Sequence, residues 1–87
     1  MISHSDLLES MHYDPSTGIF TWRKKNTRKN AGDEAGSTGK DGYIEIYLFY
    51  RHYRASRLAW FYVHGVWPQH QMDHINCIYT DNRLENL

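Results

Sequence analysis

The sequence contains a single cysteine, Cys77, among its 87 residues. One thiol can form neither an intramolecular disulfide nor a cysteine-based zinc site, which excludes the disulfide-stapled secreted scaffolds and fits a reducing compartment. Long hydrophobic runs are also missing. No stretch approaches the roughly 18 apolar residues of a membrane span, and the N-terminus has no basic segment followed by an apolar run. We therefore expect a soluble, cytoplasmic protein with no membrane partner.

Net charge is absent as well, because ten Lys and Arg balance ten Asp and Glu. The overall charge therefore gives no reason to expect a nucleic-acid partner. The local distribution differs from the total, since residues 23–29, here called the basic segment, hold five cations. A charge run this short is ordinarily a solvated loop, but it can also contact a phosphate backbone. The five cations are Arg23, Lys24, Lys25, Arg28 and Lys29.

Aromatic side chains are plentiful, with three Trp, seven Tyr and three Phe making up 15% of the sequence. A chain of this length forms one compact domain and buries a smaller fraction of its surface than a typical domain. Large rings supply buried area from few positions. We therefore expect a single folded domain over residues 1–87, with Trp22, Trp60 and Trp67 in its core rather than acting as base-stacking platforms.

The N-terminal residues predict a short helix followed by a turn. The helix lies within residues 1–13, behind Ser3 or Ser5 as a cap, and is indicated by apolar residues at helical spacing. Residues 14–18, with Pro15 and a final glycine, are a dense turn signal that separates this helix from the next element. The apolar face of the helix contains Leu7, Leu8 and Met11.

Alternating apolar and polar residues predict a small antiparallel sheet. Residues 18–23 are rich in β-branched and aromatic side chains, which is typical of a strand. Residues 24–40 have three glycines and many charges, and we expect a long exposed loop there. Residues 42–49 alternate again, and a turn at Tyr50 predicts a hairpin whose second strand runs to about residue 55.

After the hairpin the apolar period changes to that of a helix over residues 56–64. Ser56 is the expected cap, and Gly65 ends the run. Trp67 and Pro68 stop any continuation, because proline lacks the backbone donor and restricts the residue before it. The predicted fold class is α+β, with a small antiparallel sheet and short helices.

The residues that could carry chemistry are Asp73 and His74, with Asn82 and Asn86 downstream. A carboxylate beside an imidazole places a metal ligand and a general base together, as metal-assisted phosphodiester cleavage requires. Spacing alone is weak, since an isolated Asp-His pair is more often a polar turn. The other five histidines have no recognisable ligand spacing.

Several segments occur in the order found in HNH endonucleases of phages and mobile introns, and the chain resembles that family over nearly its whole length. Upstream segments that resemble the family's leader are residues 13–15, 17–18, 20–22, 42–44 and 53–55. The more specific segments are Arg57-Leu58-Ala59-Trp60, Gly65, Trp67-Pro68, Asp73-His74-Ile75-Asn76 and Asp81-Asn82-Arg83-Leu84-Glu85-Asn86-Leu87.

The resemblance implies a ββα-metal nuclease that cuts DNA with a divalent cation, usually Mg²⁺. Residues 1–55 correspond to a leader of helix and sheet, and residues 56–87 to a helix and a partial HNH motif. Asp73 matches the metal ligand on the first strand, and His74 matches the general base that deprotonates the attacking water. Asn86 matches the asparagine that orients this histidine and braces the loop, while Asn82 resembles a structural turn residue. Arg57 joins the basic segment as an expected DNA contact.

The sequence departs from the family pattern at three places. The family's second metal ligand, an Asn or His, lies on a helix after the Asn-Leu pair, and no such helix follows Leu87. Ser56 stands where the family commonly has His, and Cys77 where it frequently has glycine. We therefore expect weak or absent metal binding and impaired cleavage by this chain.

Two alternatives to an impaired DNA endonuclease remain open. The chain could be a non-catalytic, nuclease-derived phage protein that binds DNA or inhibits a host defence complex. It could also be part of a longer protein whose continuation restores the helix. If phage-encoded, it would act in the host cytoplasm, and its oligomeric state is not readable from the sequence.

Overall fold

The computed structural model describes residues 1–25 and 29–87. Arg28, one of the expected DNA contacts, lies outside the described residues. Within them the chain forms two α-helices, a 3-10 turn and two small antiparallel sheets, which confirms the α+β class. In chain order the elements are α1 (His4–Ser10), β1 (Met11–Asp14), β2 (Ile19–Trp22), β3 (Ser37–Thr38), β4 (Ile44–Leu48), β5 (Arg51–Arg54), α2 (Ala55–His64) and the 3-10 turn Leu84–Asn86.

Helix α1 begins where the sequence predicted but ends earlier. Ser3 is the N-cap, and its Oγ accepts a hydrogen bond from the backbone N of Asp6 at 3.1 Å. This satisfies one of the backbone donors that a helix start leaves unpaired. Leu7 is buried as expected, whereas Leu8 is exposed and Met11 starts strand β1. The prediction that Met11 belongs to the helix is therefore wrong.

Strands β1 and β2 form a hairpin, so the turn at residues 14–18 connects two strands rather than a helix and a strand. The Asp14 carboxylate accepts hydrogen bonds from the Oγ and backbone N of Ser16 at 2.6 and 2.9 Å. These bonds, that from the Ser16 hydroxyl first, lower the pKa of Asp14. Gly18 closes the turn with φ at +77°, a conformation that favours glycine.

The second sheet has the order β3-β4-β5, and its β4–β5 hairpin confirms the predicted one. The preceding stretch is less open than expected. Strand β3 pairs with β4, Glu34 bridges to Thr21, and Ala35 is buried with its backbone N donating to the Phe20 carbonyl at 2.8 Å. The predicted exposed loop therefore contains a short strand and one core residue.

Helix α2 packs its apolar face against both α1 and the second sheet. Ser56 is not its cap, which corrects the prediction: the helix begins at Ala55, and Ser56 is buried in the first turn. Gly65 ends the helix as predicted, in the left-handed conformation, with its N–H donating to the Phe61 carbonyl at 2.8 Å. The buried hydrophobic residues are Ile2, Leu7, Met11, Tyr13, Phe20, Ala35, Ile46, Leu48, Tyr53, Ala55, Leu58, Ala59 and Phe61.

The tryptophans border this core. Trp22 and Trp67 are partly buried and packed against it, and Trp67 stacks on Phe61 with ring centroids 4.1 Å apart. Trp60 is half-buried on α2 and contacts the His64 ring at 4.2 Å. Residues 65–87 contain no strand, so Asp73 lies in irregular backbone and not on the strand that the resemblance implied. Among the described residues no helix is long and apolar enough to span a membrane.

Candidate active site

His74 is held by a side-chain hydrogen bond to Asn82. Its Nε2 lies 2.8 Å from Asn82 Oδ1, and both residues are buried, with 5% and 2% of their surfaces exposed. Because a carboxamide oxygen can only accept, Nε2 must carry the proton. In the neutral ring, Nδ1 is then the unprotonated nitrogen, with a lone pair that can accept a proton. The Asn82 contact therefore selects the tautomer that a general base on Nδ1 needs.

Two tyrosine rings lie against the imidazole. Tyr43 and Tyr79 stack with ring centroids 4.6 Å apart and planes 9° apart, and their centroids lie 5.9 and 6.0 Å from that of His74. His74 Nδ1 is buried and has no hydrogen-bond partner among the described residues. A buried lone pair without a partner is unfavourable by about 1–3 kcal/mol, so such an atom marks a candidate for chemistry.

Arg54 fixes Tyr43 from the side of the second sheet. Its guanidinium carbon lies 4.0 Å from the Tyr43 ring centroid, and Nη2 forms an ion pair with Asp41 at 2.9 Å. A guanidinium over an aromatic face is attracted by the ring's electron-rich face. Tyr43 is therefore the anchored member of the tyrosine pair, and Tyr79 the member on the loop.

Asn86 braces the loop of residues 75–81 instead of contacting the histidine. Its Oδ1 accepts from the Asn76 backbone N at 3.0 Å, and its Nδ2 donates to Asn76 Oδ1 and to the Asp81 carbonyl at 2.9 and 2.8 Å. The resemblance implied both loop bracing and histidine orientation for Asn86. Over the described residues, the side-chain hydrogen bond to His74 comes from Asn82, for which the resemblance implies only a structural role.

A second set of contacts closes the same loop around Asp81. Its carboxylate accepts two hydrogen bonds from the Arg83 guanidinium, each at 2.8 Å, and one from Asn76 Nδ2 at 2.8 Å. The Arg83 guanidinium, which also pairs with Glu85, holds the pKa of Asp81 well below its usual range, and Asn76 adds to this effect. The side chain of Asp81, the residue before Asn82, is therefore held by hydrogen bonds from both Asn76 and Arg83.

The β1–β2 hairpin contacts the segment of residues 82–84. The Tyr13 hydroxyl donates to the Asn82 carbonyl, and the Pro15 carbonyl accepts from the Leu84 N–H at 3.1 Å. A Cβ atom on Gly18 would overlap the Arg83 backbone N and the Asn82 carbonyl carbon, so only glycine allows this approach. Burial, with Asp14 and Asp81 nearby, raises the pKa of Tyr13 to about 12.

Tyr13 and Gly18 are supports of the site that sequence reasoning missed. The sequence assigns Tyr13 only to a leader segment, and Gly18 only to a leader segment and a turn. The signal that could have found them was the presence of both segments in one ordered resemblance with the Asp-Asn-Arg-Leu stretch. The hydrogen bond from Tyr13 to Asn82 joins residues 69 positions apart, and no local sequence pattern predicts such a contact.

Asp73 is exposed and next in sequence to the buried His74. The described residues contain no group of three or more His, Cys, Asp or Glu side chains that could hold a metal ion. Mg²⁺ often binds proteins through only one or two carboxylates, with water and phosphate oxygens completing its shell. The single exposed carboxylate of Asp73 is compatible with a cation held mainly by substrate and water.

The expected DNA contacts have different surroundings. Arg23 is fastened to the fold, because its guanidinium donates to the Met11 carbonyl at 2.7 Å and to the Tyr62 hydroxyl at 3.1 Å. Lys24, Lys25 and Lys29 are exposed, and Arg57 is half-buried on α2. The two lysines after Arg23 therefore extend from a fixed point at the end of β2.

The fold and the site define a small α+β protein with a buried imidazole–carboxamide pair in its C-terminal part. Residues 53–87 match the family model described as HNH endonuclease. This match supports, over residues 53–87, the resemblance to HNH endonucleases. Comparison with curated proteins and with solved structures found no match.

Proposed function

We propose that this protein is an HNH-type DNA endonuclease domain that hydrolyses phosphodiester bonds. The observation that carries the proposal is the His74–Asn82 hydrogen bond, which lies inside the family-matched segment and leaves Nδ1 as the basic nitrogen. A base with a defined tautomer, held by a second side chain, is the arrangement that general-base catalysis uses.

In this proposal His74 Nδ1 accepts a proton from a water molecule whose oxygen attacks the phosphorus. The resulting imidazolium keeps its Nε2 hydrogen bond to Asn82, which holds the ring in place and stabilises the charge. Asn86 acts one step away by bracing the loop between His74 and Asn82. Tyr79 must move for Nδ1 to reach water, because the ring is covered in the closed arrangement.

Asp73 is the residue that would hold a divalent cation such as Mg²⁺. When bound, the cation would neutralise charge on the scissile phosphate and on the departing 3′ oxygen. Asp73 is exposed, so it can share the cation with the DNA. We expect Asp73→Asn to raise the Mg²⁺ concentration that gives half-maximal cleavage, with little change in DNA binding.

The basic segment would contact the DNA backbone. Arg23 is held by its bonds to Met11 and Tyr62, and Lys24 and Lys25 next to it are exposed. Arg28, Lys29 and Arg57 complete the proposed set. Replacing Lys24 and Lys25 with Gln should weaken binding to all DNA sequences alike and reduce its salt dependence, because phosphate contacts carry no sequence information.

A nicking assay on supercoiled plasmid DNA with Mg²⁺ or Mn²⁺ tests the activity. We expect His74→Ala to lower the cleavage rate by about 10²- to 10⁴-fold, the usual contribution of a general base. His70→Ala is the matched control, since His70 is exposed and lies just before the site. Cleavage that survives His74→Ala unchanged would contradict the assigned role, and a wild-type protein without cleavage would contradict the enzymatic function.

A DNA-binding module without catalysis is the second candidate. The 5% exposure of His74 favours it, because a sealed imidazole cannot take a proton from water. The same assay separates the two candidates when binding is measured in parallel. DNA binding without nicking, over a range of Mg²⁺ and Mn²⁺ concentrations, would support the binding module.

A further inference from the structure

The turn between β4 and β5 has an unusual sequence for its backbone. Its two central residues, Phe49 and Tyr50, both have positive φ, at 49° and 64°. Two-residue hairpin turns of this type normally take Asn-Gly or similar residues, because bulky side chains rarely adopt the left-handed conformation. Strained positions of this kind concentrate where a protein binds something.

Neither ring is buried in the core of the fold. Phe49 is 53% exposed and Tyr50 is 91% exposed. A turn that is unfavourable for the backbone and leaves its aromatic rings in solvent does not stabilise the hairpin. The strain and the exposure together indicate that this turn serves an interaction rather than the core.

A cavity of about 200 Å³ lies beside this turn and reaches the start of the basic segment. Its walls are mostly aromatic or aliphatic, with two lysines and no carboxylate among the described residues that form it. Such a cavity combines an apolar slot with positive charge. The lining residues are Ser10, Trp22, Lys24, Lys25, Leu48 and Phe49.

We propose that this cavity is a subsite for one unpaired nucleobase of a DNA strand. Phe49 and Trp22 line the cavity with aromatic rings, on which nucleobases stack, and Lys24 and Lys25 supply positive charge for the phosphates of the strand. A base within an intact duplex cannot reach such a cavity without leaving its stack. The inference rests on the proposed function in taking DNA as the ligand, and it adds a preference for DNA with an unpaired position.

The test compares three DNA duplexes of equal length: fully paired, with one unpaired 2-aminopurine, and with an abasic site at that position. Binding is measured by fluorescence polarisation without divalent cations, so that no cleavage intervenes. We expect the 2-aminopurine duplex to bind about tenfold more tightly than the other two, the effect of stacking one base. Its fluorescence should be quenched on binding, because the base stacks against protein rings.

Variants at the turn test whether the binding preference comes from the cavity or from any exposed aromatic ring. Phe49→Gly removes a wall of the cavity while relieving the positive φ, so it should fold and lose the tenfold preference. Tyr50→Gly is the matched control, because it makes the same backbone change at a residue that does not line the cavity. Phe49→Asn provides a second variant that tolerates the left-handed conformation.

The outcomes distinguish this inference from the proposed function. Equal binding of the three duplexes, or a preference that persists in both Phe49 variants, would overturn the base subsite even if the protein nicks plasmid DNA. A preference lost in Phe49→Gly and kept in Tyr50→Gly would support the subsite even if no cleavage occurs. Lys24→Gln and Lys25→Gln should weaken binding of all three duplexes.

Discussion

At position 77 the backbone is left-handed, with φ at 61°, although the residue is cysteine. The resemblance to HNH endonucleases implied that glycine is frequent there, and the φ angle gives the physical reason. We expect Cys77→Gly to stabilise the protein by roughly 0.5–1 kcal/mol, since the strain relieved exceeds the added freedom of the unfolded chain. The urea midpoint measures this change, with Cys77→Ser as a control that keeps the strain. A Gly variant no more stable than the Ser variant would contradict it.

Tyr13 should make stability depend on alkaline pH through its bond to the Asn82 carbonyl. Its folded pKa of about 12 lies above the ordinary value of 10.0, so its contribution is full below pH 10 and is lost as pH rises from 10 to 12. Tyr13→Phe should be less stable by about 1–3 kcal/mol at pH 7, because a buried carbonyl loses its donor. Urea unfolding at several pH values should show this difference shrinking above pH 10. A difference that stays constant up to pH 11.5 would contradict the raised pKa.

The roles of the two asparagines show what residue patterns can and cannot predict. The sequence pointed to His74, Asn82 and Asn86 through the Asp-His pair and the resemblance to HNH endonucleases. In the structure Asn82 is hydrogen-bonded to His74, and Asn86 is hydrogen-bonded to Asn76 in the loop between them. Which amide contacts the imidazole depends on how the intervening loop closes. That closure depends on Asp81 bridging Asn76 and Arg83, and on Tyr13 from the distant hairpin. Spacing along the chain contains neither contact.

Among the elements, the β1–β2 turn should be the one most sensitive to a single methyl group. Gly18→Ala places a Cβ against the Asn82–Arg83 backbone and adds strain at φ +77°, so we expect a loss of several kcal/mol or displacement of the docked segment. Gly32→Ala is the matched control, because Gly32 has φ +91° but no atom within 4 Å of the new Cβ. Urea midpoints and the imidazole NMR signals of His74 measure the two effects. Equal losses in both variants would mean that the close approach at Gly18 contributes nothing.

The elements that the sequence predicted well are those with several consecutive pattern residues. The β4–β5 hairpin and helix α2 are of this kind, and Gly65 marks the helix end through its left-handed backbone. Strand β1 was missed because Met11 fits the helical spacing of Leu7 equally well, and only pairing with β2 decides between them. Strand β3 has two residues, too few for any period to appear.

At the scale of the whole molecule, the leader and the family-matched segment are joined by the bonds from Tyr13 and Pro15 and by the close approach of Gly18. We expect one cooperative unfolding transition, because loss of the hairpin removes the support of Asn82 and so loosens the site. Tryptophan fluorescence and far-ultraviolet circular dichroism should give the same urea midpoint. Two separated transitions would show that residues 1–55 and 56–87 unfold independently.

At the scale of the whole molecule, the burial of His74 should limit the rate of catalysis, because water must reach its Nδ1. Tyr79 comes from the loop, Tyr43 is contacted by Arg54, and both rings lie against the imidazole. A stacked aromatic pair contributes about 0.5–1.5 kcal/mol, so removing Tyr79 should raise the fraction of open molecules about two- to tenfold. We therefore expect Tyr79→Ala to raise the single-turnover nicking rate by that factor with unchanged DNA affinity. Tyr47→Ala is the control, because it removes an exposed ring that contacts His52 outside the site. If Tyr79→Ala nicks DNA no faster than Tyr47→Ala, the tyrosine pair does not gate the base, and the buried Nδ1 must become accessible by another movement of the loop.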